Sequence, residues 1–170
     1  MNPSRIFSFL LVLQALLLGS SCGAAPVPHT VAERETQLGE ARALEVIEAT
    51  LRERGMAFTP GWDLDLGGEL RFRVDVHLGA GDFGIEYVTG QDRADEPTLP
   101  EPPRSRELQI LPGAGDDARA QVLLLDERAY AFDPHSEHVQ AGATSAQDAE
   151  GRLARDVGDF VEYVHGQGGQ

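Results

Sequence analysis

The chain contains no lysine, so all of its positively charged side chains, histidine aside, are arginines. This absence excludes Schiff-base catalysis, a P-loop lysine and Ser-Lys dyads. Asparagine occurs only at Asn2, so the sequence offers no site for Asn-linked glycosylation. The formal net charge is −14 over 170 residues, and such acidity repels the phosphate backbone of nucleic acids. Nucleic-acid binding is therefore not expected.

Cysteine is almost absent as well, because Cys22 is the only one and cannot form an internal disulfide. It follows a short start carrying Arg5, an apolar run over residues 6–18 and small residues at 19–21. This order is typical of a secretory signal, and the run is short for a transmembrane helix. We therefore predict a signal peptide over residues 1–21.

The position of Cys22 resembles the lipobox of bacterial lipoproteins, in which the cysteine is diacylated and becomes the mature N-terminus. The family prefers leucine three residues before the cysteine, where this chain has Gly19. The resemblance implies lipidation at Cys22 and attachment to the membrane through that lipid. Gly23 carries no inner-membrane retention signal, so the outer membrane is favoured over the inner one. Ordinary signal-peptidase cleavage is the alternative and would give a periplasmic or secreted protein.

Two stretches have the apolar spacing of amphipathic helices. The first begins at Thr30 and Glu33, which together have the pattern of a capping box. It ends at Gly55, and glycine suits the left-handed position that follows a helix. The second opens on Thr144 and Ser145, which suit an N-cap. The apolar stripes are Leu38, Ala41, Leu44, Ile47 and Leu51 in the first, and Ala149, Leu153, Val157, Phe160, Val161 and Val164 in the second.

Apolar and polar residues alternate over residues 70–78 and again over 83–87, with a turn composition at 79–82. This pattern predicts a β-hairpin with one buried face and one water-facing face. The predicted pairs on the buried face are Leu78 with Phe83, Val76 with Ile85, and Val74 with Tyr87.

The water-facing side of this hairpin places Asp75 directly opposite Glu86, and like charges in that position are unfavourable. Several explanations stay open. Arg73 or His77 lies on a diagonal and pairs with the carboxylates on a solvated surface, the two carboxylates share a proton, or they bind a divalent cation such as Mg²⁺ or Ca²⁺. Asp75 and Glu86 are therefore candidate metal ligands, and no other cofactor is expected.

A second group of metal-ligand residue types comprises Asp133, His135 and His138. Zinc sites usually need a further ligand held on a rigid element, and the sequence does not identify one. A solvated loop is the alternative interpretation of this group.

Further strands are predicted over residues 107–111, 121–125 and 129–133, the second covered on both faces because its residues are continuously apolar. Residues 90–106 contain four prolines and predict a long exposed loop, the best place for a partner contact. We predict an α+β domain in two layers: an antiparallel sheet of four to five strands, with an N-terminal and a C-terminal helix packed on one face. The predicted segments are a tether (22–29), one domain (30–166) and a disordered tail (167–170).

A helix, a strand carrying Asp75, a turn and the segment GIEYV carrying Glu86 resemble the core of the PD-(D/E)xK nuclease family. The family's lysine, two residues after the glutamate, is replaced by Val88. The resemblance implies a degenerate metal-binding, hydrolase-like domain that uses Asp75 and Glu86 as its carboxylate pair.

No nucleophile elbow, phosphate-binding glycine loop or metalloprotease helix motif occurs in the sequence. We therefore expect an exported, lipid-anchored cell-envelope protein that serves as a non-catalytic interaction or structural module with an envelope protein partner. Two alternatives remain: the hydrolase-like domain, and a periplasmic module that binds a small ligand in a pocket beneath Trp62.

Overall fold

The structure, a computed structural model, describes residues 36–65, 71–79, 81–105, 107–134 and 144–167. The chain divides into two units, Met1–Thr30 and Val31–Gln170, and every element below belongs to the second. The predicted signal peptide and tether lie outside the described residues, as do Cys22, Thr30, Glu33, His135, His138 and residues 168–170 of the predicted tail.

The elements, in chain order, are β1 (Thr36–Gln37), α1 (Glu40–Glu53), β2 (Phe58–Asp65), β3 (Arg71–Leu78), β4 (Phe83–Val88), α2 (Gly90–Asp95), β5 (Gln109–Pro112), β6 (Gln121–Asp126), β7 (Ala131–Phe132) and α3 (Ala146–Gln167). Five strands form one sheet in the order β2-β3-β4-β6-β5, and β1 pairs separately with β7. The predicted α+β class is confirmed.

The main sheet is mixed, because β4 and β6 run parallel while its other neighbours are antiparallel. The prediction of a purely antiparallel sheet is wrong in this detail. The chain leaves β4, passes through α2, the proline-rich segment and β5, and only then enters β6 alongside β4. The strand predicted over residues 129–133 is also wrong, since Glu127–Tyr130 form a 3-10 turn and only Ala131–Phe132 are extended, against β1.

Both long helices pack on one face of the sheet, as predicted. Together they form the first core, whose buried side chains include Ile47 of α1, Phe160 of α3 and Ile85 of β4. The ring of Phe160 meets that of Phe83 edge-on, with centroids 6.4 Å apart. Burying one side chain of this size contributes about 1.5–3 kcal/mol, so this layer supplies much of the stability.

Helix α1 begins later than predicted, at Glu40, because Thr36–Gln37 are extended and pair with β7. Its buried stripe therefore includes Ala43, whereas Ala41 is exposed. Gly55 follows the helix with a φ of 69°, as its sequence position predicts.

Helix α3 agrees closely with its predicted cap and stripe. The hydroxyl of Ser145 accepts a hydrogen bond from the N–H of Asp148 (3.1 Å), and the Asp148 carboxylate accepts one from the N–H of Ser145 (3.0 Å). This is the reciprocal arrangement of a capping box. The predicted apolar stripe is buried from Ala149 to Val161.

The opposite face of the sheet is covered too, which overturns the prediction of a water-facing surface. A second core fills it with Leu64, Val74, Val88, Leu99, Ala120, Val122 and Leu124. Leu99 comes from the segment between β4 and β5, so this segment forms the cover. The sheet also curls, because the N–H of Ala114, next to β5, donates to the carbonyl of Asp65 at the end of β2 (2.9 Å).

Strand β3 changes face in its middle. Val76 belongs to the first core, but Val74 belongs to the second, so the predicted contact between Val74 and Tyr87 is wrong. Val74 packs instead over Gly84, where an added Cβ would lie 2.9 Å from its Cγ1. Strand β2 turns in the same place, at Gly61, whose φ of 70° suits glycine.

Replacing Gly84 by alanine should therefore destabilise the protein by about 1–3 kcal/mol, because the new methyl group would crowd Val74 and the carbonyl of Val76. Gly166→Ala is the matched control, since nothing lies within 4 Å of its added Cβ. Urea denaturation measures both free energies of unfolding. Equal values for the two variants would contradict the close packing at Gly84.

Candidate functional site

The two candidate carboxylates meet where the β3–β4 ladder stops. The predicted register holds for Leu78 with Phe83 and Val76 with Ile85, and pairing ends there. Beyond that point the N–H of Asp75 donates to Glu86 Oε2 (2.8 Å), and the N–H of Tyr87 donates to Asp75 Oδ2 (2.9 Å). We call this arrangement the carboxyl junction: the side chains of Asp75 and Glu86 with the N–H groups of Asp75 and Tyr87.

The carboxyl junction lies inside the protein. Glu86 is only 4% exposed, and Asp75 is half-buried. Burial, and next the charge of Asp75, raise the pKa of Glu86 to about 9. Burial also raises the pKa of Asp75, against the lowering effect of the Tyr87 N–H. At neutral pH Glu86 is therefore protonated.

Arg73 does not neutralise this pair, which corrects the explanation that assigned it to both carboxylates. Its guanidinium lies 3.5 Å from the carboxylate of Asp63 across the β2–β3 ladder, and both side chains are largely exposed. Protonation of Glu86, whose pKa is raised to about 9, reduces the repulsion between Asp75 and Glu86 without an arginine.

The carboxyl junction can support only a few kinds of chemical reaction. A carboxylic acid beside a carboxylate can store and exchange a proton. Each carboxyl group already accepts a backbone N–H, so a cation would compete with the sheet for those oxygens. Within the described parts of the chain, no cluster of three or more acidic, histidine or cysteine side chains is placed to hold a metal ion. Val88, at the position of the nuclease lysine, is fully buried.

The second candidate metal group is described only at Asp133. Its backbone N–H donates to the carbonyl of Thr144 (2.9 Å), which ties the end of β7 to the start of α3. His135 and His138 lie outside the described residues, so their convergence on Asp133 stays a prediction.

A buried ion-pair cluster that the sequence did not reveal lies around Asp126. Arg93 Nε donates to Asp126 Oδ2 (2.7 Å), and Arg128 Nε donates to Asp126 Oδ1 (2.8 Å). Burial acts to raise the pKa of Asp126, but the hydrogen bonds from Arg128 and Arg93 outweigh it and lower the pKa. Arg93 also donates to the carbonyl of Pro100 (3.2 Å), so the cluster fastens α2 and the proline-rich segment to β6. The only sequence signal was an aspartate at the end of an apolar run.

A groove of about 370 Å³ lies beside α3 and is lined also by residues of β6 and of the segment before β5. Its lining includes Leu108, the buried ring of Tyr130, Pro102, Pro103 and Asp156. The hydroxyl of Tyr130 donates to the carboxylate of Asp156 (2.7 Å). The prolines of the predicted contact loop thus border a concave surface.

The sequence suggested a pocket beneath Trp62. The structure instead packs Trp62 against the second core, with its ring centroid 4.3 Å from that of His77. The groove beside α3 is the better candidate for a ligand or partner contact, because it combines an apolar lining with convergent polar groups.

Comparison with known proteins finds no matching family model, no similar curated protein and no similar solved structure. None of the helices in the described part of the chain has the length and apolar character needed to cross a membrane.

Proposed function

We propose that this protein is exported, anchored to the bacterial cell envelope by a lipid on Cys22, and acts by binding another envelope protein. The supporting observation is the order of the N-terminal residues: an apolar run, three small residues, and the single cysteine of the chain. Export leaves a lone thiol without an internal partner, and acylation accounts for it. The outer membrane is the proposed destination.

A binding role agrees with the arrangement of the candidate metal ligands Asp75 and Glu86. Asp75 and Glu86 hold two strands together through backbone N–H groups, so their oxygens serve the fold. The groove beside α3, which Pro102 and Pro103 help to line, is the proposed partner surface. Long loops with an exposed rim are common contact sites.

The anchor is tested by mass spectrometry of the N-terminal peptide from protein purified out of its native membrane. We expect a diacylated Cys22 at the mature N-terminus and loss of membrane attachment in Cys22→Ser. An unmodified thiol, or an intact residue 19–22 segment in the mature chain, would refute the anchor. A cleaved chain without lipid would support a periplasmic or secreted protein instead.

The partner surface is tested separately by photo-crosslinking in cells. A crosslinking residue replaces Ser105, which lines the groove, and in the control it replaces Glu53, which is exposed on α1 and does not line it. We expect one specific crosslinked envelope protein from position 105 and none from position 53. Equal crosslinking from both positions, or none from either, would refute the groove as the contact.

The hydrolase-like alternative is favoured only by the closeness of Asp75 and Glu86. Isothermal titration with Mg²⁺, Mn²⁺ and Ca²⁺ separates it from the binding role, with Asp75→Asn as the control. Heat that disappears in Asp75→Asn would support a metal site. We expect no heat that depends on Asp75, because a cation would displace backbone hydrogen bonds.

A further inference from the structure

The groove beside α3 has apolar surface that another molecule can cover. Leu108 and Pro102 are half-buried, and Pro103 is exposed. Covering these side chains would remove apolar surface from water, which favours binding. Ligand pockets in proteins usually measure about 300–1,000 Å³, so a groove of about 370 Å³ has room for a few side chains of another chain.

The charged side chains that α3 contributes to the groove are separated by sign. Arg152, Arg155, Asp156 and Asp159 all line it, and steps of three and four residues place them along one side of the helix. The two arginines come first in the chain and the two aspartates follow. The groove therefore has a cationic end toward the N-terminus of α3 and an anionic end toward its C-terminus.

The two arginines are directed away from the anionic end. Arg152 Nη2 donates to the carbonyls of Ala131 (3.0 Å) and Ala129 (3.3 Å), so its charge serves the turn before β7. The guanidinium of Arg155 reaches back toward Gly151, whose added Cβ would lie 3.7 Å from Nη1. Neither arginine therefore neutralises the aspartates that follow it.

The aspartates keep room for further hydrogen-bond donors. Asp156 is half-buried and accepts the hydroxyl of Tyr130 through Oδ2 alone, while Asp159 is exposed. Among the residues that the structure describes, neither carboxylate forms an ion pair. Glu107, which is exposed, adds a third negative charge to the lining. Asp126, the fourth acidic residue of the lining, is already held by two arginines.

We propose that the groove beside α3 binds a basic, apolar segment of the partner protein. Apolar side chains of the segment cover Leu108 and the neighbouring prolines, and a lysine or arginine lies against Asp156 and Asp159. This inference rests on the proposed partner surface and adds the chemistry of the partner. The formal net charge of −14 supports it, because so acidic a protein attracts basic partners and speeds their encounter. An acidic segment would meet like charges at the anionic end.

Fluorescence anisotropy of short labelled peptides tests the proposal, with the purified full-length protein carrying its native N-terminus in detergent. The probes are peptides of equal length in which leucine alternates with lysine, with glutamine or with glutamate. We expect the lysine peptide to bind most tightly, and its binding to weaken as the salt concentration rises.

Asp156→Asn combined with Asp159→Asn should weaken binding of the lysine peptide by about tenfold, because both charges at the anionic end are lost. Asparagine at position 156 still offers an oxygen to the Tyr130 hydroxyl. The matched control combines Glu53→Gln with Asp116→Asn, which removes the same charge from two exposed positions outside the groove. It should weaken binding by less than about twofold, because distant exposed charges are screened.

Any ranking in which the lysine peptide does not bind most tightly would overturn the proposal. So would an equal loss in the groove variant and the control, because binding would then follow total charge and not the groove. Asp159→Asn alone, at an exposed position, should weaken binding by about threefold and replaces the double variant if that variant does not fold. Either contrary result, beside a specific crosslink from position 105, refutes the basic segment alone, whereas loss of that crosslink refutes the partner surface itself.

Discussion

Replacing Arg93 by alanine should lower the free energy of unfolding by about 3–5 kcal/mol, because it removes one partner of a buried ion pair. The side chain of Asp126 is only 4% exposed and that of Arg93 is 17% exposed. Without Arg93, Asp126 keeps its charge with one partner fewer, and the carbonyl of Pro100 loses a donor. Guanidinium denaturation at neutral pH measures the change.

Arg128→Ala is the matched control for Arg93→Ala, since Arg128 contacts the same carboxylate from a side chain that is 46% exposed. Its loss should cost about 1–2 kcal/mol, because water can replace a partly exposed donor. The double variant Arg93→Ala with Asp126→Asn should recover part of the loss. A loss in Arg93→Ala no larger than in Arg128→Ala would contradict a dominant, buried Arg93–Asp126 pair.

Glu86→Gln should have the second large effect, and its sign depends on pH. The pKa of Glu86 in the folded protein is about 9, above its ordinary 4.5, so the folded state binds the proton more tightly than the unfolded state. The stability that this group contributes is complete below about pH 4.5 and is lost as the pH rises through about 9. At about pH 9, Glu86→Gln should therefore be more stable than the wild type by about 2–4 kcal/mol.

The control for Glu86→Gln is Glu53→Gln, which changes the same charge at an exposed position. Thermal denaturation between about pH 5 and about pH 9 should show that the advantage of Glu86→Gln grows with pH, while Glu53→Gln follows the wild type. An advantage independent of pH would mean that Glu86 is ionised throughout this range. Asp126 acts in the opposite direction, since its lowered pKa makes its contribution decline in acid.

The helices and half of the hairpin were predictable from the sequence because their signals are local. The cap at Ser145 and the stripe from Ala149 fix α3, and alternation fixes the register from Val76 outward. The start of α1 was not predictable, because the two residues Thr36–Gln37 carry no pattern and take their conformation from β7.

The environment of the carboxyl junction was harder to predict. The sequence correctly placed Asp75 beside Glu86, but alternation alone assigns alternate residues to opposite faces and cannot anticipate side chains that enter the ladder. It also cannot anticipate that Leu99, from a proline-rich segment, covers the second face. One signal was available: Tyr87 and Val88 are adjacent bulky apolar residues, which indicates a strand buried on both faces.

The most direct test of the account is the titration of the Glu86 side chain, followed by the ¹³C chemical shift of its carboxyl carbon in NMR, with Glu86→Gln used for assignment. If Glu86 is protonated at neutral pH, the main transition of this carbon occurs near pH 9, and the Asp75 carbon shifts with it because the two groups are coupled. A single transition of Glu86 near pH 4.5, its ordinary value, would show an ionised Glu86 at neutral pH and would contradict the buried, protonated carboxyl.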